Sequence, residues 1–194
     1  MSKTKTSVQI LAIAREILAK EGFSAVSFDA IARRLGKSKQ AVLYWFPTKH
    51  DLLAAMFLPW LEAETESAIS ALSGATNRTE AIGLFIRAVA QFHLEDLDRF
   101  RMMYLVPQTT STRPQEPGNA AVVNQVHPVT TRLYAALADH LGTDPVAARA
   151  QAVAIHAAVL GLILMVALGE SLNDPLKQSE TQLVDALVNS LTAT

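Results

Sequence analysis

Within the first 46 residues, apolar side chains recur at three- and four-residue steps in three short runs that are cut by Gly22 and Gly36. That spacing gathers one face of a helix, whereas a strand needs alternation. Ile10, Ile13, Ala14, Ile17 and Leu18 predict a helix over about residues 7 to 20, closed by Glu21-Gly22-Phe23. Ser27 is placed to cap a second helix, with Asp29 favouring its positive end and Phe28, Ile31, Ala32 and Leu35 supplying its buried side. Gly36 supplies the turn, and Ser38 caps a third helix expected to run to about Phe46. Three short helices around a tight glycine turn predict a helix-turn-helix head.

The rest of the chain keeps the helical period. Pro47 suits the start of a fourth helix, because the first helical position needs no N–H donor, and Asp51, Leu52, Leu53, Met56 and Phe57 carry that helix towards Pro59, where a kink is expected. Further helices are predicted at about 79 to 95 and 97 to 106, before a loop rich in Pro, Gln, Ser and Thr from Pro107 to Gly118. Helices at about 119 to 141, bent at Pro128, 145 to 170 and 176 to 192 follow. With no useful β-alternation and no internal repeat, the fold class is all-α. The division is a head over 1 to 53, its motif at about 27 to 46, and a larger helical body over 54 to 194.

Composition narrows the function classes. About half of the 194 residues are apolar, enough to bury a core, and there is no cysteine, so disulfides, thiol catalysis and cysteine-based zinc sites are excluded. Met1 to Ser7 is polar and unlike a secretion signal, so a cytoplasmic location is expected. The net charge of −1 hides an asymmetry: residues 1 to 50 hold nine basic and three acidic side chains, a balance of +6, and the remainder balances at −7. A basic head on an acidic body points to a polyanion partner for the head alone.

The third helix carries the residue types that read a major groove. Lys37 and Lys39 can donate to guanine, Gln40 can pair twice with adenine, and Ala41 can touch a thymine methyl, with Ser38 among them at the helix start. Ser27, Tyr44 and Lys49 can hold phosphates and set the register. Val42 and Phe46 are expected to point inward. Over Ile31, Ala32, Gly36, Ser38, Val42, Phe46, Thr48, Lys49 and Leu52, together with Gly22-Phe23, the segment resembles the amino-terminal DNA-binding domain of the TetR family of bacterial transcriptional regulators. Two positions depart from that pattern: Lys37 stands where an apolar residue is common, and Leu43 stands where the family has a phosphate-contacting tyrosine. The resemblance implies that Tyr44, one position on, takes the backbone contact.

What the resemblance implies is a homodimeric repressor on double-stranded, partly palindromic operator DNA, released when a small-molecule effector enters the body. Ala152 to Gly169 is the most apolar run, and a buried helix is the better reading of it than a membrane span, since it is barely long enough and contains His156. Together with Leu183, Val184, Leu187, Val188 and Leu191 it is expected to form the dimer interface through the last two helices, Ala154, Ala157, Ala158 and Gly161 permitting close approach.

Candidates for the effector pocket are Trp60, Phe85, Phe92, His93, Met102, Met103, Tyr104, His127 and His156, which fit an apolar or aromatic ligand with one or two polar groups. His93 with Glu95 and Asp96 lacks a recognised metal-ligand spacing, so no metal and no cofactor is expected. No nucleophile elbow, phosphate-cradling glycine loop or His-Glu-x-x-His motif occurs, and the chain reads as a non-enzyme. The competing reading is a helical ligand-binding or scaffold protein without DNA binding, which Leu43 and Lys37 keep open.

Overall fold

The computed structural model describes residues 3–105, 118–169 and 178–193, and every regular element among them is helical. The helices are α1 (Lys3–Glu21), α2 (Phe28–Leu35), α3 (Lys39–Leu43), α4 (Lys49–Leu72), α5 (Arg78–Leu94), α6 (Leu97–Phe100), α7 (Gly118–Ala138), α8 (Pro145–Gly169) and α9 (Glu180–Thr192). A 3₁₀ turn, Phe23–Ala25, follows α1, and a π turn, Arg101–Leu105, follows α6. The chain divides into two compact units, Met1–Pro59 with Val106–His127, and Trp60–Leu105 with Pro128–Thr194.

In the first unit α1 packs on α2 and α2 on α3. Ile10, Ala14, Ile17 and Leu18 of α1 are buried, as are Ile31 and Ala32 of α2 and Val42 of α3. Gly22 and Gly36 have φ of 81° and 67°, left-handed values that cost little only without a Cβ. Ser27 Oγ accepts from Ala30 N at 3.2 Å and Ser38 Oγ from Ala41 N at 3.3 Å, the two caps expected from the sequence.

Two helix boundaries depart from expectation. The third helix ends at Leu43 and not near Phe46, because Pro47 disfavours helical backbone in the residue before it, and the last turn closes through Phe46 N donating to Val42 O at 3.0 Å. The fourth starts at Lys49, two residues after Pro47. Thr48 takes the cap: its Oγ1 accepts from Asp51 N at 3.1 Å, and Asp51 Oδ2 accepts from Thr48 N at 3.0 Å. That reciprocal pair satisfies donors which a proline could only omit. Pro59 lies inside α4 and Pro128 inside α7, each within a helix that continues through it.

In the second unit α5 packs against α8 and α9, and α8 packs against α9. The core holds Ile82, Phe85, Ile86 and Val89 from α5, Leu133 and Leu137 from α7, Ile155, Val159 and Ile163 from α8, and Val184 and Val188 from α9. The expected helix over 97 to 106 is instead the single turn α6 followed by the π turn. The loop expected from Pro107 to Gly118 lies outside the described residues up to 117, and Gly118 itself opens α7.

Valines 184 and 188 correct the sequence reading of α9. They were expected to face a second subunit, yet both are buried in their own core, where Val188 Cγ1 lies 3.5 Å from the position a Cβ on Gly83 would take. A stripe of apolar residues shows that a helix is buried on one side, but not against what.

Candidate nucleic-acid interface and a buried polar cluster

In the head, the third helix shows its polar side. Lys37, Ser38, Lys39 and Gln40 are exposed and Ala41 is half-buried, while Val42 and Phe46 are buried and anchor the helix as expected. Tyr44 is 71% exposed and stands edge-on to Trp45 at 5.4 Å, so its hydroxyl is carried outward on a ring held from one side. Leu43 is half-buried.

Electrostatics sort the basic residues of the head. Lys20 pairs with Glu16 at 2.8 Å, Arg34 with Glu21, and Lys39 Nζ with Asp29 Oδ2 at 2.8 Å. Arg33 and Lys37 are exposed, and among the described residues no carboxylate pairs with them. Lys49 Nζ sits 4.4 Å over the Phe23 ring, and partial burial holds its pKa below the ordinary lysine value. Val26, Ser27, Phe28, Asp29, Lys39, Lys49 and Leu52 line one recess of ≈ 210 Å³, so Ser27, Lys39 and Lys49 share a surface. Asp29 in that recess escaped the sequence reading, which used it only as a helix-start residue. Its pairing with Lys39 spans ten positions and two helices, and spacing along one helix does not encode it.

In the body, polar groups from three other elements converge on Glu64 of α4, and a fourth joins through His156. Glu64 is fully buried; its Oε1 is 2.8 Å from His156 Nε2 of α8, and its Oε2 accepts from the Tyr104 hydroxyl of the π turn at 2.8 Å. The other ring nitrogen of His156 is 3.1 Å from the Tyr134 hydroxyl of α7. His93 of α5 puts Nε2 at 3.4 Å from Glu64 Oε1, near enough for charge attraction but outside hydrogen-bond geometry, and neither of its ring nitrogens has a hydrogen-bond partner. Burial pushes the Glu64 carboxyl up, but the nearby imidazoles of His156 and His93 more than reverse that and hold it at about 2. The Tyr104 hydroxyl is raised well above its ordinary value by burial and by the Glu64 charge, so it stays a donor.

Four of the nine pocket candidates, Phe85, His93, Tyr104 and His156, therefore meet in one place, and Phe92 adds its ring 5.1 Å from His93. Trp60, Met102 and Met103 are half-buried, and His127 is exposed in the other unit. Glu64 and Tyr134 were not singled out from the sequence. They lie 92 and 22 positions from His156, separations that no local pattern records. Glu95 and Asp96 do not join His93: both are exposed, Glu95 accepting from Gln91 and Asp96 capping α6. Among the described residues no group of three His, Asp or Glu is arranged to hold a metal ion.

One helix among the described residues, α8, is long and apolar enough to cross a membrane. One side of it is packed into the core, and on that side His156 joins the Glu64 cluster. Its other side leaves Val153, Met165 and Leu168 exposed.

Residues 10–56 match the sequence model of bacterial regulatory proteins of the tetR family. Among solved structures the fold is shared with a TetR/AcrR family transcriptional regulator of Thermobifida fusca YX-ER1, at 24% identity and TM-score 0.54 over 97% of each chain. The multidrug binding protein EbrR, solved with imidazole, is similar at 20% identity and TM-score 0.60 over 94% of this chain and 93% of that one. So is the transcriptional regulator FadR of Bacillus subtilis, solved with stearoyl-CoA, at 15% identity and TM-score 0.65 over 96% and 97%.

Proposed function

We propose that this chain, a tetR-family protein by its residues 10–56, is a ligand-responsive transcriptional repressor that binds a partly palindromic operator as a homodimer. The observation that carries the reading is the third helix. Its polar leading edge is exposed, its first turn is capped by Ser38, and it is held from behind by Val42 and Phe46. A helix anchored in that way enters a major groove without rearranging. Lys37, Ser38, Lys39, Gln40 and Ala41 face the bases. Ser27, Tyr44 and Lys49 hold phosphates, Tyr44 standing in for the tyrosine that Leu43 replaces. Two heads occupy successive major grooves one helical turn, roughly 34 Å, or more apart.

The head takes residues 1 to 53, and the body, 54 to 194, binds a small, largely apolar effector and dimerises through the last two helices. EbrR and FadR, solved with imidazole and stearoyl-CoA, support a body that takes up small molecules. The effector favours the arrangement of heads that does not fit DNA, and it shifts the equilibrium only by its difference in affinity for the two arrangements. The work is binding in the cytoplasm, with no catalysis.

A mobility-shift assay against the DNA upstream of the chain's own gene tests this. The reading requires a sequence-preferring complex that weakens steeply with salt, and Lys49→Ala is expected to weaken it for all sequences and lower the salt slope by about one. Lack of any preferred sequence at moderate salt leaves instead a helical ligand-binding protein without DNA binding, the outcome that Leu43 would then explain.

A further inference from the structure

The side of the head proposed to face DNA carries a carboxylate, Asp29, in one recess with Ser27, Lys39 and Lys49. Arg33, four residues on along α2, is exposed as Asp29 is, and Lys37 and Lys39 are exposed at the start of the third helix. A negative charge on a surface for a polyanion weakens binding to every sequence alike, so any benefit to recognition comes through what Asp29 touches. Among the described residues the other carboxylates of the head, Glu16, Glu21 and Asp51, are bonded to Lys20, Arg34 and Thr48, none of which belongs to the third helix.

Asp29 passes over the partner that its own helix offers. Arg33 follows at the fourth position with the acid on the N-terminal side, the favourable order for a pair along one helix, yet Asp29 Oδ2 takes Lys39 Nζ of the third helix at 2.8 Å. Both cations of the recess are thus held, Lys39 by a carboxylate and Lys49 over the Phe23 ring at 4.4 Å. With side chains 49% and 65% exposed, Lys39 and Asp29 remain open to a further partner.

We propose that Asp29 is a specificity-determining residue that acts through Lys39: it tethers the Lys39 ammonium away from the DNA backbone, so that Lys39 adds to binding only where a base-edge acceptor meets it. This role rests on the reading of the chain as an operator-binding regulator, and it names what separates the operator from other DNA at that position. A lysine is a flexible ammonium with three rotatable donors. Left loose beside a duplex it turns to a phosphate, which is present at every step and carries no sequence information. Held by Asp29 it keeps donors for a base edge, and guanine O6 and N7 accept from lysine in the major groove. The Asp29 charge repels the phosphates of all DNA equally, so repulsion cancels between operator and other DNA. The tether does not cancel.

Mobility shifts on the full chain test this with an operator duplex from the DNA upstream of the chain's own gene and a scrambled duplex of the same length and composition. Asp29 is exposed and Ser27 caps α2, so the variants are expected to fold. Asp29→Asn is expected to tighten both complexes, the scrambled one more, so that the operator-to-scrambled affinity ratio falls about fivefold, the scale of one exposed ion pair. Its salt slope on scrambled DNA should steepen by about one more than on the operator, the mark of an added phosphate contact. Asp29→Glu, which keeps the charge, is expected to hold most of the ratio. In a Lys39→Met background Asp29→Asn should change both complexes by the same factor, because only repulsion is left to lose. An unchanged or higher ratio in Asp29→Asn overturns the role. So does a loss as large in Asp29→Glu, or an equal fall of the ratio with Lys39→Met present. Those results leave the regulator reading standing, because the unaltered protein still prefers its operator. No preference for the operator in the unaltered protein sinks both together.

Discussion

Asp29 and Glu64 are two carboxylates whose burial sets opposite behaviour. Asp29 and Lys39 are both exposed, so their 2.8 Å pair is worth no more than about 1 kcal/mol. Asp29→Asn is expected to leave urea unfolding nearly unchanged and to tighten operator binding, because it removes a negative charge from the recess shared with Ser27 and Lys49 and frees Lys39 for DNA. Weaker binding in the mobility shift would mean that Asp29 orients Lys39. Glu64 is different, since removing it strands a buried imidazole and a phenol. Glu64→Gln is expected to destabilise the protein by about 3 kcal/mol at neutral pH. Its folded value of about 2 lies under the ordinary 4.5, so its stabilisation is fully present above 4.5 and is lost as pH falls from there through about 2. Urea unfolding measured across that window should show a stability slope that Glu64→Gln lacks.

At the scale of elements, local chemistry and tertiary context divide the credit. Capping was legible: Ser27 and Ser38 accept from the third residue onward as their spacing implies, and Gly36 adopts the left-handed turn. Gly36→Ala meets no neighbouring atom, so its cost is that of a left-handed backbone alone, about 1–2 kcal/mol, read as a lowered melting temperature with the α2–α3 geometry kept. A loss much larger than that would mean the turn itself is rebuilt. Where two helix-start signals compete, as at Pro47 and Thr48, the sequence leaves the choice open. The hydroxyl and the Asp51 carboxylate win because together they satisfy donors. The turn from α6 into Arg101–Leu105 was not legible, because a π turn has no period of its own and is held by long-range bonds, Tyr104 to Glu64 and Arg101 to the Ala167 carbonyl at 2.9 Å.

For the whole molecule the open face of α8 matters most. Met165 is 67% exposed, Leu168 61% and Val153 41%, on a helix whose other side is core, and Leu191 of α9 is also exposed. Exposed large apolar side chains on one side of a helix are the candidates for the proposed contact with a second subunit. Met165→Glu is expected to turn the proposed homodimer into a monomer in sedimentation and to weaken operator binding, since each head then binds alone, while unfolding of the single chain is little changed. A dimer that persists in Met165→Glu moves the interface off α8.

The sequence by itself determined that the chain is helical and where most of its long helices lie, that the head is basic and the body acidic, and which side chains of the third helix are polar, because periodicity, capping and charge act within a few residues. It also placed Val42 and Phe46 inside, since in so short a helix only one side can be apolar. Tertiary structure alone decided that Lys39 is held by Asp29, that Val184 and Val188 serve their own subunit, and that Glu64 gathers His93, His156 and Tyr104 across three other elements. Those facts depend on which helix faces meet. A stripe or a lone buried acid carries no label for its partner until packing excludes water and makes the unpaired group costly.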